Sequence, residues 1–171
     1  MIINGKNIQI FACSSGTGKT TFAKKNLNFI DLDKEKFFCK HPDIPRTIDD
    51  EQLEKLKCKV INKSKDYPKN YINLIKKYLA EDKNLLVVPE PLIMSIIEEN
   101  DLPYVLIYPD ITCKEEYKKR MMSRGNSKEF AGWFDMFYDR YFMDNENNTK
   151  ACMKIKLQSG EFVEDAIKRL K

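Results

Sequence analysis

Residues 7–25 read Asn-Ile-Gln-Ile-Phe-Ala-Cys-Ser-Ser-Gly-Thr-Gly-Lys-Thr-Thr-Phe-Ala-Lys-Lys and carry the strongest structural signal in the chain. The apolar run over 7–12 predicts a β-strand, and the residues from about 20 to 25 predict a helix. Between them, residues 13–20 match the pattern G-x-x-x-x-G-K-[ST], except that Cys13 replaces the first glycine. The stretch therefore predicts a strand, an anion-binding loop and a helix in succession.

The residue types in this loop are those that phosphate binding requires. Glycines let successive backbone N–H groups curve around an anionic oxygen, and the following helix adds the positive end of its dipole. Lys19 would reach the β- and γ-phosphates, and the Thr20 hydroxyl would ligate Mg²⁺. The alternative is a flexible turn that binds no ligand, and Cys13 would cost about 1–2 kcal/mol if its backbone were left-handed. We expect these residues to bind a nucleoside triphosphate: Ser14, Ser15, Gly16, Thr17, Gly18, Lys19 and Thr20.

The rest of the chain alternates short apolar runs with amphipathic stretches, which is typical of an α/β fold with a mainly parallel sheet. Further strands are expected at 28–33, 84–88, 104–108 and 153–157. Helices are expected near 67–79, 91–97, 112–124, 130–141 and 161–170. We therefore predict a three-layer α/β/α sandwich with five strands, whose ligands bind at the carboxyl ends of the strands.

Length and charge restrict the class of protein. The 171 residues suit one domain, and a hydrophobic content of 42% is too high for a disordered chain. No apolar run approaches the roughly 18 residues of a membrane span, and residues 1–6 do not resemble the start of a secretory signal. The net charge of +4 permits a small anionic substrate without requiring nucleic acid as a partner. We expect no membrane partner, and either a monomer or a homodimer.

Cysteine and histidine usage argues against metal scaffolds and histidine-dependent hydrolases. The five cysteines are odd in number, and none lies closer than nineteen residues to another. Reduced thiols, and hence a cytoplasmic location, are the better interpretation. Cys39 and His41 could supply two metal ligands, but nothing nearby completes a tetrahedral set. His41 is the single histidine, so it is also the only candidate for a catalytic dyad or triad.

Two large classes of phosphate-loop protein fit the sequence poorly. GTPases read guanine with Asn-Lys-x-Asp, whereas residues 62–65 are Asn-Lys-Ser-Lys. Motor-type ATPases end an apolar strand in Asp or Asp-Glu, whereas residues 85–90 end in Pro-Glu, and the chain has no room for a second ATPase domain. Small-molecule kinases fit better, because each of their required groups has a candidate here.

Asp31 and Asp33 end the second predicted strand, which we expect to run beside the phosphate loop. Residues two apart in a strand face the same side, and paired carboxylates are costly unless cations or donors bind them. One of the two would then contact Mg²⁺, and the other would accept a hydrogen bond from the nucleophilic oxygen of the substrate. The alternative for Asp33 is that it only caps the turn after the strand.

Arg120 and Arg124 lie four residues apart in a predicted helix, and Gly125 offers a hinge beside them. Arginine forks suit phosphoryl oxygens, so this pair could close over the transferring group as a short lid within 112–130. The alternative is a solvated helix face that pairs with Glu116.

Two other patterns favour structural roles. The aromatic stripe between Phe130 and Tyr141 favours core packing over base stacking, and the lysines of 55–65 favour a solvated face over a nucleic-acid groove.

Several stretches together resemble phosphate-loop nucleoside and nucleotide kinase-like proteins, especially the small adenylate-kinase-like proteins of bacteriophages and their hosts. The most specific of these stretches is the loop together with Thr21, which follows it. Ile-Asp-Leu-Asp at 30–33 is a second stretch that carries the resemblance. The resemblance continues in residues 108–120, in Arg-Gly-Asn at 124–126, in residues 65–71 and in Ser-Gly-Glu-Phe at 159–162.

The resemblance implies a P-loop kinase-type sheet of strand order 2-3-1-4-5, Mg²⁺-ATP as donor, and a nucleoside or nucleoside monophosphate as acceptor. It implies that 1–171 form one domain, in which 34–65 are an acceptor-binding insert. Lys19, Asp33, Arg120 and Arg124 would be catalytic, while Thr20 and Asp31 would hold the metal. A polynucleotide 5′-hydroxyl kinase and a nucleotide-sensing module without turnover are the alternatives.

Overall fold

The computed structural model describes residues 1–32, 68–125 and 128–170, excluding the side chains of residues 128–130 and 133. Within these ranges the strands are β1 (Ile2–Ile3), β2 (Lys6–Asn7), β3 (Ile10–Cys13), β4 (Phe29–Asp31), β5 (Asn84–Val87), β6 (Tyr104–Pro109) and β7 (Met153–Leu157). The helices are α1 (Lys19–Lys25), α2 (Lys69–Ala80), α3 (Pro91–Glu99), α4 (Lys114–Met122), α5 (Lys128–Glu146) and α6 (Val163–Lys168). The insert predicted at 34–65 lies outside the described residues.

Five parallel strands form the main sheet in the order β4-β5-β3-β6-β7. Numbered along the chain from β3, this order is 2-3-1-4-5, the order that the resemblance implies. The central strand is β3, in which Phe11 lies opposite Leu86 on one side and Val105 on the other. The loop after β3 therefore emerges in the middle of the carboxyl edge of the sheet.

Helices cover both faces of the sheet because side chains alternate along its buried strands. On one face, Phe11 and Cys13 pack with Phe22 of α1 and Ile167 of α6. On the other, Ile10 packs in a cluster that includes side chains of α2, α3 and α5. This arrangement agrees with the predicted α/β/α layers.

The first predicted strand differs in detail from the structure, whereas the last one agrees with it. The first predicted strand is divided, because residues 2–7 form a separate antiparallel hairpin, β1 and β2, which turns at Asn4 and Gly5 with positive φ. At the other end, β7 is the predicted edge strand: Ile155 and Leu157 are buried, and Lys156 pairs with Glu146 at the end of α5. None of the helices in the described ranges is long and apolar enough to span a bilayer.

Candidate functional site

The predicted phosphate loop adopts a tight turn between β3 and α1. The Ser14 N–H donates to the Ile107 carbonyl over 2.9 Å, and the Thr17 hydroxyl donates to the Ser14 carbonyl over 2.7 Å. Gly16 has φ of 82° and Gly18 has φ of 85°, both in the left-handed region that glycine tolerates best. The two glycines that the sequence retains therefore stand where the backbone requires them.

Cys13 occupies a position that does not need a glycine. It is the last residue of β3, pairs with Ile107 in the sheet, and is not among the residues with positive φ. Its thiol is fully buried and donates to the Phe11 carbonyl over 3.3 Å. Burial raises the pKa of Cys13 to about 12, so the thiol is neutral near pH 7. The departure from the motif thus introduces neither backbone strain nor a reactive thiolate.

Lys19 begins α1 and folds back over the loop. Its ammonium donates to the carbonyls of Cys13, over 2.9 Å, and of Ser14, over 3.0 Å. The side chain is only 9% exposed. A buried lysine held by loop carbonyls places its charge at the loop, where it can stabilise a bound phosphate.

Thr20 and Asp31 form the second half of the predicted site. The Thr20 hydroxyl donates to the Asp31 carboxylate over 2.6 Å. The second predicted strand, β4, ends beside the loop as expected but is not the sheet neighbour of β3, because β5 lies between them. Asp31 contacts the loop region through Thr20, which lies in the first turn of α1.

These two oxygen-bearing side chains fit a magnesium ion. Mg²⁺ in nucleotide sites is usually held by one or two protein oxygens, with the phosphates and water supplying the rest. The described residues contain no group of three or more His, Cys, Asp or Glu that could hold a metal by itself. Thr20 and Asp31 would hold the metal together with a nucleotide.

Arg120 lies against the phosphate loop. Its guanidinium donates to the Gly16 carbonyl over 3.3 Å and to the Glu161 carbonyl over 3.1 Å, and it forms an ion pair with Glu116. The group also lies over the ring of Phe162, 4.0 Å from its centroid. The structure therefore brings one of the two predicted lid arginines to the loop.

Glu116 orients this arginine and is itself held from the other side. Ser159 donates to it over 2.7 Å, and the Gly160 N–H donates over 3.1 Å. These hydrogen bonds, led by that from Ser159, lower the pKa of Glu116. The carboxylate joins α4 to the loop between β7 and α6.

Arg124 is not brought to the same place. Helix α4 ends at Met122, so Arg124 lies in the following turn and does not share a helical face with Arg120. It is exposed, and its side chain makes no hydrogen bond or ion pair with the part of the chain that the structure describes. Gly125, at φ of 84°, has the left-handed conformation expected of a residue that ends a helix.

A cavity of about 240 Å³ opens beside the loop, and sequence reasoning missed it. It lies between the carboxyl ends of the central strands and helices α4 and α5. Its walls come from the loop, from the segment after β5, from the last residue of β6 and from both helices: Ser14, Ser15, Val88, Glu90, Pro109, Tyr117, Met121, Phe134, Phe137, Tyr138 and Tyr141.

The aromatic stripe of α5 has two roles, of which the sequence predicted one. Tyr138 is buried and packs with Tyr117 and Phe134, as core packing predicts. The same helix also supplies four aromatic walls to the cavity, and Phe137 remains 37% exposed. The helical spacing indicated a packed face but not the space in front of it.

Several predicted residues lie outside the described part of the chain. One is Asp33, which was predicted to accept a hydrogen bond from the acceptor oxygen. The others are Cys39, His41, the lysines of 55–65 and residues 126–127 of the predicted lid.

Comparison with known protein families found no matching family model, and comparison with curated proteins found no match.

Proposed function

We propose that this protein is a P-loop kinase-type phosphotransferase that moves the γ-phosphoryl group of Mg²⁺-ATP to a nucleoside or nucleoside monophosphate. The observation that carries the proposal is the grouping of Lys19, Thr20 and Asp31 around a loop whose glycines are left-handed. The Lys19 ammonium lies 2.9 Å from a loop carbonyl, and the Thr20 hydroxyl lies 2.6 Å from the Asp31 carboxylate. Strand order 2-3-1-4-5 also supports it.

Phosphoryl transfer needs positioning and charge stabilisation more than covalent chemistry from the protein. Backbone N–H groups of residues 15–19 and the Lys19 ammonium would bind the β- and γ-phosphates. When bound, Mg²⁺ supplies positive charge that stabilises the negative charge on the phosphate oxygens. Arg120, already at the Gly16 carbonyl, would add charge to the transferring group.

The acceptor side of the reaction would proceed by direct displacement at the γ-phosphorus. An acceptor oxygen forms the new bond to γ-phosphorus as the bond to the β–γ bridging oxygen breaks, so ADP leaves. Asp33, which lies outside the described residues, remains our candidate to orient the acceptor by accepting a hydrogen bond from its oxygen, and the proton of a hydroxyl acceptor would leave to water. The free thiols of Cys13, Cys113 and Cys152 support a cytoplasmic setting for this reaction.

The test is ADP release from Mg²⁺-ATP against nucleosides, nucleoside monophosphates, small hydroxylated metabolites and 5′-hydroxyl oligonucleotides. We expect release with a nucleoside or monophosphate, lost in Lys19→Ala. Lys24→Ala, which removes an exposed lysine of the same helix, is the matched control and should behave as the wild type.

Other outcomes identify the alternatives. Release only with oligonucleotides, with binding that weakens steeply as salt rises, indicates a polynucleotide kinase. ATP binding without turnover on any acceptor indicates a nucleotide-sensing module. Absence of ATP binding by the wild type contradicts the proposal.

A further inference from the structure

We propose that the cavity beside the phosphate loop binds the planar ring of the acceptor, so that the acceptor is an aromatic, base-bearing molecule and not a sugar or polyol that lacks an aromatic ring. This inference rests on the proposed function and deepens it. It assigns the acceptor ring to α5, whereas the sequence analysis placed acceptor binding at Asp33 and in the insert at 34–65.

The cavity lies directly beside the phosphate loop. Ser14 and Ser15 of the loop form one wall, and Tyr138 and Tyr141 of α5 form another. A molecule bound there lies between the loop and an aromatic helix face. One end of it is therefore next to the phosphate site, as an acceptor must be.

The aromatic walls are held in place before any ligand arrives. The Tyr138 hydroxyl donates to the Asp110 carbonyl over 2.9 Å, and the Tyr141 hydroxyl donates to the Pro89 carbonyl over 2.9 Å. These carbonyls belong to the segments that follow β6 and β5. Because both hydroxyls are engaged, the rings are fixed, and fixed aromatic walls suit the stacking of a base.

Two polar groups among the cavity residues lack partners. The Ser14 Oγ and the Tyr117 hydroxyl are buried, with their residues 3% and 1% exposed, and neither has a hydrogen-bond partner in the described part of the chain. Buried hydroxyls are normally paired, because leaving one unpaired is unfavourable. A hydroxyl or phosphate oxygen of a ligand at the loop end would supply the missing partner.

The size of the cavity favours a single compact ring system. Its volume of about 240 Å³ is below the roughly 300–1,000 Å³ of pockets that enclose drug-sized ligands. A polar end near Ser14 and Tyr117 together with a ring against α5 describes a nucleoside or its monophosphate. A sugar phosphate without a base would leave the aromatic walls uncovered.

The experiment is calorimetric titration of the full chain, without ATP, with adenosine, thymidine, their 5′-monophosphates and ribose 5-phosphate. We expect at least one base-bearing probe to bind at least tenfold more tightly than ribose 5-phosphate. Phe137→Ala should weaken that probe about tenfold, while Phe137→Tyr, which keeps a ring, should stay within twofold. Met136→Ala is the matched control, because Met136 is the neighbouring residue of α5, is 71% exposed and does not line the cavity.

Ser14→Ala tests the polar end by a second measurement. Removing an unpartnered buried hydroxyl should leave the melting temperature unchanged or raise it, whereas affinity for the base-bearing probe should fall severalfold. A purely structural role for Ser14 would lower the melting temperature instead, and that result would count against the proposal.

The inference is overturned if no base-bearing probe binds, if ribose 5-phosphate binds as tightly, or if Phe137→Ala matches Met136→Ala. It is also overturned if Phe137→Ala weakens ATP and not the probe, because the cavity would then hold the donor base. Failure of the proposed function has a different signature: the probe binds and responds to Phe137→Ala, but ATP neither binds nor is turned over.

Discussion

The Thr20 hydroxyl and the Asp31 carboxylate are joined by a 2.6 Å hydrogen bond, although strand β5 separates β4 from the strand that leads to the loop. The contact exists because α1 runs back along the sheet and packs against β4, where the Phe22 and Phe29 rings meet edge to face at 4.8 Å. This packing brings a hydroxyl and a carboxylate together beside the loop, as the proposed magnesium site requires.

Asp31→Asn should lower kcat about a hundredfold, because the amide keeps a hydrogen bond to Thr20 but loses the charge that attracts the metal. The measurement is steady-state kinetics over a range of Mg²⁺ concentrations, in which the variant should need more metal for half-maximal rate. Asp101→Asn is the control, because Asp101 is exposed and asparagine tolerates its φ of 51°. An unchanged Mg²⁺ dependence in Asp31→Asn would remove Asp31 from the metal site.

Gly16→Ala should abolish ATP binding and lower the free energy of unfolding by about 1–2 kcal/mol. The residue has φ of 82°, and an added Cβ would lie 2.8 Å from the Met121 methyl carbon. Gly132→Ala in α5 is the matched control: its Cβ would meet open space, so we expect a gain of about 0.5–1 kcal/mol. Urea denaturation and ATP titration of both variants check this. If Gly16→Ala and Gly132→Ala changed the free energy of unfolding equally, that result would contradict a left-handed backbone at Gly16.

Arg120→Ala and Arg124→Ala should differ in stability even where both reduce activity. Arg120 is 14% exposed and contacts Glu116, two carbonyls and two rings, so its loss should cost about 2 kcal/mol. Arg124 is exposed, and its loss should change the free energy of unfolding by less than about 0.5 kcal/mol. Denaturant midpoints test the difference, and a large loss from Arg124→Ala would show a contact that this structure lacks.

Cys13→Gly, which restores the usual first residue of the motif, should not improve ATP binding by more than twofold. The site is extended strand, so glycine relieves no strain, and losing a buried side chain should cost about 2 kcal/mol. Calorimetry with ATP and urea denaturation measure the two effects. A tenfold gain in affinity would mean that Cys13 impairs the loop.

The Cys13 thiol should also resist alkylation at pH 8 in the native state and react after denaturation, whereas half-buried Cys152 should react faster. Burial raises the pKa of Cys13 from 9.0 to about 12. The fold therefore favours the protonated thiol, and the stability this contributes is complete below about pH 9 and is lost as the pH rises toward 12. Mass spectrometry after pulsed labelling identifies which cysteine has reacted.

The strand–loop–helix unit was predictable because its causes are local. The apolar run before Cys13, the two glycines and the Lys-Thr pair impose their geometry within a few residues, and the structure has a strand, a tight turn and a helix in the predicted order, with the strand shortened to 10–13. The buried strands and most helices were predictable for the same reason, since alternation and helical spacing depend on near neighbours. The contact of Arg120 with the loop was anticipated only as a possibility.

The remaining features of the candidate site depend on distant segments coming together. Local spacing does not report that β5 lies between β3 and β4, that α4 ends before Arg124, or that α5 leaves a space in front of the loop. Burial of apolar area drives such packing without direction, and it depends on how all the layers fit together. The motif thus specified a tight turn with two left-handed glycines, whereas the packing of α1, α4 and α5 on the sheet created the Thr20–Asp31 pair and the aromatic cavity.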